Sequence, residues 1–351
     1  MTGKKHALIT GITGQDGAYL AKFLLDKGYK VFGTYRRLST PNFWRLQALN
    51  IFEKINLIPA DLLDAPSVIE AIEISEPDEV YHLAAQSFVA ASFEQPIGTA
   101  EITGIGTTRV LEAIRHINSK IRFYQASTSE LYGRRNTVPQ NENIPFSPSS
   151  PYAAAKLYSY WITKIYREGY NIFASNGILF NHESPLRGME FVTRKVSNAV
   201  AKIALGIENS IELGNIEAQR DWGYAPEYVE SMWLMLQQEK PDDYVIATNE
   251  AHSVKIFVEE AFKIVNLDWH DYIKQDERFL RPLDVDLLIG DYSKAKRDLG
   301  WEPKIRFDSL VEIMVKEDLR RWERWLKGEH FPWDAPNYQS EAKILTRSLR
   351  V

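Results

Sequence analysis

Residues 6–17 read His6-Ala7-Leu8-Ile9-Thr10-Gly11-Ile12-Thr13-Gly14-Gln15-Asp16-Gly17, and the order of residue types in this stretch decides the fold class. A short apolar run passes into glycines spaced three apart, after which the pattern predicts an amphipathic helix over 18–27. Glycine lets the backbone turn tightly and approach a ligand closely, while the free amides and positive end of the helix face an anion. Gly28 caps the helix, and Tyr29-Lys30-Val31-Phe32-Gly33-Thr34 supplies a second strand. Together these make the strand-loop-helix-strand unit of a mononucleotide-binding half. GxxGxxG alone is weak, but the preceding strand and following helix are the context a pyrophosphate needs. The competing reading is a glycine-rich turn that binds nothing.

Outward from that unit the alternation continues. Strands are predicted at 55–58, 79–83, 121–125 and 172–178, with helices at 65–74 and 97–117 and another carrying Tyr152. Such alternation specifies an α/β fold with a doubly wound parallel sheet of the Rossmann type, whose ligands gather at the carboxyl ends of the strands. After about residue 180 helices dominate, at 193–205, 226–238, 254–265 and 310–327. The expected division is therefore a dinucleotide-binding domain over 1–180 and a smaller, mostly helical substrate domain over 181–330. The chain is expected to cross between the two, and the 331–351 tail has no assigned role.

Composition bounds the function. The 351 residues are 44% hydrophobic and 25% charged, globular values for a chain of two domains. A net charge of -5 argues against general attraction to nucleic acid or anionic membrane. The chain has no cysteine, which excludes disulfide and thiolate chemistry and leaves the compartment open. Met1-Thr2-Gly3-Lys4-Lys5 leads straight into a strand, and no apolar run approaches the roughly 18 residues of a membrane helix. The expectation is a cytoplasmic protein. The seven histidines are scattered, so no metal is expected, and His182 reads as structural rather than as a metal ligand.

The candidate chemistry lies at the strand ends. Tyr35-Arg36-Arg37 closes the second strand, and arginine there suits the 2′-phosphate of NADP, where NAD sites use a carboxylate. A solvated charged turn is the alternative. Asp61 and Leu62 end the third strand, with Asp61 within reach of an adenine amino group. Leu83 ends the fourth, ahead of Ala84-Ala85-Gln86-Ser87, small residues that suit a cofactor wall or plain packing. The fifth strand delivers Thr128 and Glu130. Tyr152 and Lys156 stand four apart in a helix-favouring Ala153-Ala154-Ala155 context and so share one face. The ammonium, helped by a cationic cofactor ring, is expected to lower the phenol from about 10 toward neutrality. YxxxK also arises by chance, and Glu130 alone reads equally as a surface or capping carboxylate. Cations recur in loops near glycine and proline, among them Lys195, Arg220 and Arg281, and suggest an anion site.

The residues Gly11, Gly14 and Gly17, Thr128, and Tyr152 with Lys156 resemble the extended short-chain dehydrogenase/reductase family. Glu130 beside Thr128, with the runs Ser150-Pro151-Tyr152, Gly177 to Pro185 and Arg220-Asp221-Trp222-Gly223, extends the resemblance to that family's sugar-nucleotide dehydratases over about residues 5 to 325. The resemblance implies NADP as cofactor and a GDP sugar, GDP-D-mannose above all, as substrate of a redox-neutral lyase. Tyr152, held by Lys156, would take the C4 hydroxyl proton, Thr128 would hydrogen-bond that oxygen, and Glu130 would remove the C5 proton and help expel the C6 hydroxyl. The implied cofactor contacts are Gly11, Thr13, Gly14, Gln15, Asp16, Gly17, Arg36, Asp61, Leu62, Leu83, Ala85, Tyr152, Lys156, His182 and Arg187. The implied substrate contacts are Ser87, Asn181, Val192, Lys195, Gly214, Arg220, Arg281 and Asp284. Arg36-Arg37-Leu38-Ser39 resembles a cofactor loop that also meets a neighbouring subunit, which implies a homotetramer or homodimer. Asp284 stands where the family usually has glutamate, and Leu38 where it commonly has serine. The alternatives are dehydration of another GDP sugar such as a GDP-heptose, a net reductase or epimerase, and a non-catalytic NADP-binding scaffold.

Overall fold

The computed structural model describes residues 3–39, 42–134, 137–276, 283 and 285–329, so Arg281, Asp284 and the 331–351 tail fall outside the described residues. The N-terminal apolar run forms β1 (His6–Thr10), and the alternation delivers β2 (Lys30–Tyr35), β3 (Asn56–Pro59), β4 (Glu79–His82), β5 (Arg122–Thr128) and β6 (Ala174–Leu179). The later chain adds β7 (Asn181–Glu183), β8 (Ile211–Leu213), β9 (Gln219–Tyr224), β10 (Asp243–Ile246), β11 (Ala251–Ser253), β12 (Ile273–Gln275) and β13 (Leu287–Leu288).

One seven-stranded sheet has the order β10-β6-β5-β4-β1-β2-β3, and every pairing in it is parallel. The order reverses between β1 and β4, so the loops leaving those strands part and open the crevice in which such sheets bind ligands. Helices cover both faces. On one, Leu20, Leu24, Met232 and Met235 from the helices Gln15–Asp26 and Ala225–Gln237 pack on Tyr81 and Tyr124. On the other, Val68, Ile72, Val110 and Ile114 pack on Val80 and Phe123.

Two features depart from the expected element pattern. β10 lies after residue 180 yet completes the main sheet. Its Asp243 is fixed there by Arg167 Nη1 at 2.9 Å, Asn176 Nδ2 at 2.9 Å and Tyr160 Oη at 3.0 Å. The expected 97–117 helix runs from Pro96 to Ile117 but passes through a π-helical turn at Ala100–Ile105.

A separate apolar core joins Val196, Val200, Trp222, Phe257, Phe262, Leu310 and Met314. It is formed by the helices Val192–Ala204, Val254–Ile264 and Phe307–Leu326 around two small sheets, one of β7, β9, β11 and β13 and one of β8 and β12. Helices dominate this part, while its short strands carry too few residues for a period to register.

Candidate active site

The glycine stretch folds as its residue types require. Gly11 has φ +72, and a Cβ there would stand 2.9 Å from the Ala84 backbone. At Gly17 a Cβ would meet the Gly11 carbonyl at 2.5 Å. Gly14 caps the helix Gln15–Asp26, whose N-terminal amides open toward a cavity of about 980 Å³. The glycines thus form a close cradle at a helix N-terminus, the geometry that receives a pyrophosphate.

Thr128, Glu130, Tyr152 and Lys156 line the same cavity. β5 ends at Thr128, whose Oγ1 accepts from the Glu130 amide at 3.2 Å and so starts a 3-10 turn at Ser129–Leu131. Tyr152 and Lys156 enter on the helix Pro151–Tyr170. Ser150 Oγ caps that helix by accepting from the Ala153 amide at 3.0 Å, with Pro151 as its first residue. The Tyr152 phenol is buried. Burial pushes its pKa up, against the expected lowering, and Thr128 only partly offsets this. Lys156 Nζ donates to the Ala126 carbonyl at 2.6 Å, and burial lowers its pKa to about 8. Burial therefore keeps the phenol protonated among the chain's own groups, and the ammonium's short contact is with a carbonyl rather than with the phenol.

Asp16 and His182 also line the cavity, and they are paired with each other. His182 Nε2 lies 2.7 Å from Asp16 Oδ2 and Nδ1 lies 2.8 Å from the Phe180 carbonyl, so both ring nitrogens face acceptors. That arrangement favours imidazolium. Burial works against the charge, but Asp16 outweighs it and raises the His182 pKa, while Asp16 is itself lowered against burial mainly by His182. Gln15 joins them, donating to Asp16 Oδ1 at 3.0 Å and to the His182 carbonyl at 3.1 Å, and accepting from Ser184 Oγ at 2.6 Å. The start of the glycine-loop helix is thus tied to the segment after β6.

Gln15, Leu83, Ala85, Ser87, Asn181, Arg187, Val192, Lys195, Gly214 and Arg220 complete the expected residues around this cavity. Arg187 Nε pairs with Glu183 Oε2 at 3.1 Å while its guanidinium covers the Phe191 ring at 3.6 Å. Lys195 Nζ donates to the Glu212 carbonyl at 2.6 Å, and burial lowers its pKa to about 8. Arg220 donates to the Val285 carbonyl at 2.7 Å. Thr13, Arg36, Asp61 and Leu62 line a second cavity of about 420 Å³, which shares Gly11, Gly14, Leu83, Ala85 and Ser87 with the first. Sequence reasoning missed Arg45, Phe88 and Phe191. Arg45 lines the main cavity and donates to the Thr13 carbonyl at 3.1 Å and the Leu186 carbonyl at 2.7 Å. Phe88 and Phe191, both lining that cavity, meet edge to face with centroids 6.0 Å apart. Phe88 directly follows Ser87, the one local signal that pointed at it.

A family model described as GDP-mannose 4,6 dehydratase matches residues 8–314. The chain is 52% identical over 326 residues to GDP-mannose 4,6 dehydratase 1 of Arabidopsis thaliana, covering 90% of each. It is 49% identical over 345 residues to the GDP-mannose 4,6-dehydratase of Sinorhizobium fredii (strain HH103), covering 91% of this chain and 98% of that one. Among solved structures, the UDP-glucose 4-epimerase of Thermotoga maritima superposes with a TM-score of 0.80 at 24% identity, covering 91% of this chain and 99% of that one. The dTDP-glucose 4,6-dehydratase of Bacillus anthracis does so at 0.79 and 20% identity, covering 92% and 99%. At those identities the likeness shows a shared fold.

Proposed function

The chain belongs to the GDP-mannose 4,6-dehydratase family, and from that premise we propose that it converts GDP-D-mannose to GDP-4-keto-6-deoxy-D-mannose and water, with NADP regenerated in each turnover. The residues present fit that cofactor. The glycine cradle and helix N-terminus suit its pyrophosphate, and Arg36 and Asp61, lining the second cavity, suit its adenosine end. When bound, NADP supplies the acceptor for the C4 hydride, its return to C6, and a positive ring charge that counters the burial of the phenol.

The chain's own groups move the protons. Tyr152 takes the proton from the C4 hydroxyl, and Thr128, lining the cavity beside the phenol, shares the charge on that oxygen. Lys156 adds a cation on the same helix face. The 4-ketone makes C5–H acidic, so Glu130 removes that proton and passes it to the departing C6 hydroxyl, which leaves as water; a proton returns to C5 when C6 is reduced. Residues 1–180 serve mainly the cofactor and 181–330 mainly the sugar nucleotide, with Asn181, Lys195 and Arg220 about its polar groups.

One observation carries this reading: Glu130 lines the same cavity as Tyr152 and Lys156. Elimination needs that base and a simple reductase does not. Incubating the pure protein with GDP-mannose and no added reductant is expected to give a product lighter by one water, with no net NADPH consumed. Glu130→Gln is expected to retain NADP+ binding and lose at least about a hundredfold in dehydration, the scale of a general base. Full dehydration by that variant would overturn the assignment. A panel of GDP sugars including a GDP-heptose tests the second reading, dehydration of another GDP sugar.

The same proposal includes a cytoplasmic location and a homo-oligomer, dimer or tetramer. Among the described residues no helix is long and apolar enough to cross a membrane. The helices after β4 and β5 leave Ile97, Tyr158, Trp161 and Ile165 exposed, an apolar face that supports pairing with a second copy.

A further inference from the structure

Thr103 sits where the long helix after β4 departs from α geometry. Pro96–Thr99 is α-helical, Ala100–Ile105 is the π turn, and Gly106–Ile117 returns to α. π turns are rare and gather at functional sites, so this one calls for a physical account.

Its neighbours provide one. The buried Thr103 hydroxyl accepts from the Gln86 amide at 3.1 Å and faces the Gln86 carbonyl at 3.4 Å, engaging both backbone groups of a loop residue. Gln86 lies between Ala85 and Ser87, which line both cavities. On the other side, the Thr103 carbonyl accepts from Ser159 Oγ at 2.7 Å and Thr107 Oγ1 at 3.2 Å. Ser159 is three residues beyond Lys156 and seven beyond Tyr152, on the same helix face. Gly104 abuts that helix, where a Cβ would stand 3.6 Å from the Ala155 carbonyl. One turn of helix thus bonds the 84–87 loop on one side and the helix of Tyr152 and Lys156 on the other.

We propose that this π turn, through the Thr103 hydroxyl, sets the height of the 84–87 loop against the helix of Tyr152 and Lys156, making Thr103 a positioning residue for the dinucleotide. The inference rests on the NADP reading above. It goes beyond that reading because Thr103 lines neither cavity. Its hydroxyl replaces the partner that a strand or helix gives other amides, and without it the half-buried Gln86 N–H is left unpaired.

The test compares NADP+ affinity of the full chain, by calorimetry, in wild type, Thr103→Val and Thr103→Ser. Valine keeps the shape and removes the hydroxyl, whereas serine keeps the hydroxyl. Thr103→Val is expected to bind about tenfold more weakly, about 1.4 kcal/mol, with faster hydrogen exchange at the Gln86 amide. Thr103→Ser is expected to stay within about twofold of wild type. A purely structural role would lower Tm but leave the affinity and the Gln86 exchange of the folded protein unchanged, and that result overturns the proposal. Wild-type binding of NADP+ with equal binding by Thr103→Val sinks the positioning role alone. Failure of wild type to bind NADP+ sinks the cofactor reading, and this inference with it. If Thr103→Val does not fold, Ser159→Ala removes one hydroxyl from the Thr103 carbonyl and is expected to cost about threefold in affinity; unchanged affinity and Gln86 exchange would overturn the proposal.

Discussion

Lys156 shows how much stability one side chain gives up for chemistry. It is 4% exposed, and burial lowers its pKa from 10.5 to about 8. Between those values the unfolded chain holds the proton that the folded chain releases, so stability should rise with pH from about 8 to 10.5, and below 8 the full cost is present. A depression of this size amounts to on the order of 3 kcal/mol. Lys156→Met removes the charge and keeps the length. The Ala126 carbonyl it leaves still accepts from Gln125 Nε2 at 3.0 Å. The variant is therefore expected to melt higher than wild type at pH 7, with the difference closing by pH 10.5, while dehydration is lost. Equal or lower melting at pH 7 would show that the ammonium is stabilised in place. Thermal denaturation across that pH range measures it. The sequence made the Tyr152 and Lys156 face legible from spacing alone, but not the direction of the phenol's shift. That depends on burial and on which acceptor the ammonium reaches, and neither is local.

At the scale of elements, the helix Pro151–Tyr170 is held at its start by one cap. Tyr152 is its second residue, so fraying at that end reaches the phenol first. Ser150→Ala is expected to cost about 1 kcal/mol and to lower kcat more than NADP+ affinity, whereas Ser150→Thr restores both. A kcat unchanged beside a lowered Tm would show that the first turn is held by other contacts. The main strands and helices were legible to within a few residues because their periods run long enough to register. β10 was not: it is as long as β3 and β4, but it follows residue 180, where the strand-helix alternation that marked those two has loosened. The π turn left a faint trace. Thr99, Thr103 and Thr107 recur at a spacing of four among Gly98, Gly104 and Gly106, poor helix formers for the middle of a helix. Back-bonding threonines and missing side chains are what a helix needs to bend around a loop and lie close on its neighbour.

Across the whole molecule, the contacts that shape the cavity join residues far apart in the chain, which is why local patterns did not show them. Asp16 and His182 are separated by 166 positions, and each alone reads as a ligand contact. Another such link reaches the last helix of the described chain, Phe307–Leu326. Asp318 and Arg194 are both 0% exposed and bond at 2.7 Å, and Ser197 Oγ donates to Asp318 at 2.6 Å. Arg194 Nη1 then donates to the Pro185 carbonyl at 3.0 Å and the Arg187 carbonyl at 3.1 Å, and Arg321 Nη1 to Pro185 at 2.7 Å. Two buried guanidinium groups thereby hold the backbone beneath Arg187. Breaking a buried pair leaves an uncompensated charge, so Asp318→Asn is expected to cost about 3–5 kcal/mol. Replacing Arg194 and Asp318 by apolar residues, as in Arg194→Met with Asp318→Leu, removes the Arg194 charge while Arg321, which also faces Asp318 at 3.3 Å, keeps its pair with Glu317 at 3.1 Å, and should recover much of the loss. The double variant still lacks both Arg194 bonds to the 185–187 backbone. It is therefore expected to regain melting temperature while its NADP+ affinity stays at least about fivefold below wild type. Affinity that returns together with melting temperature would mean that the cluster only stabilises the fold, and that Arg187 finds its place without it.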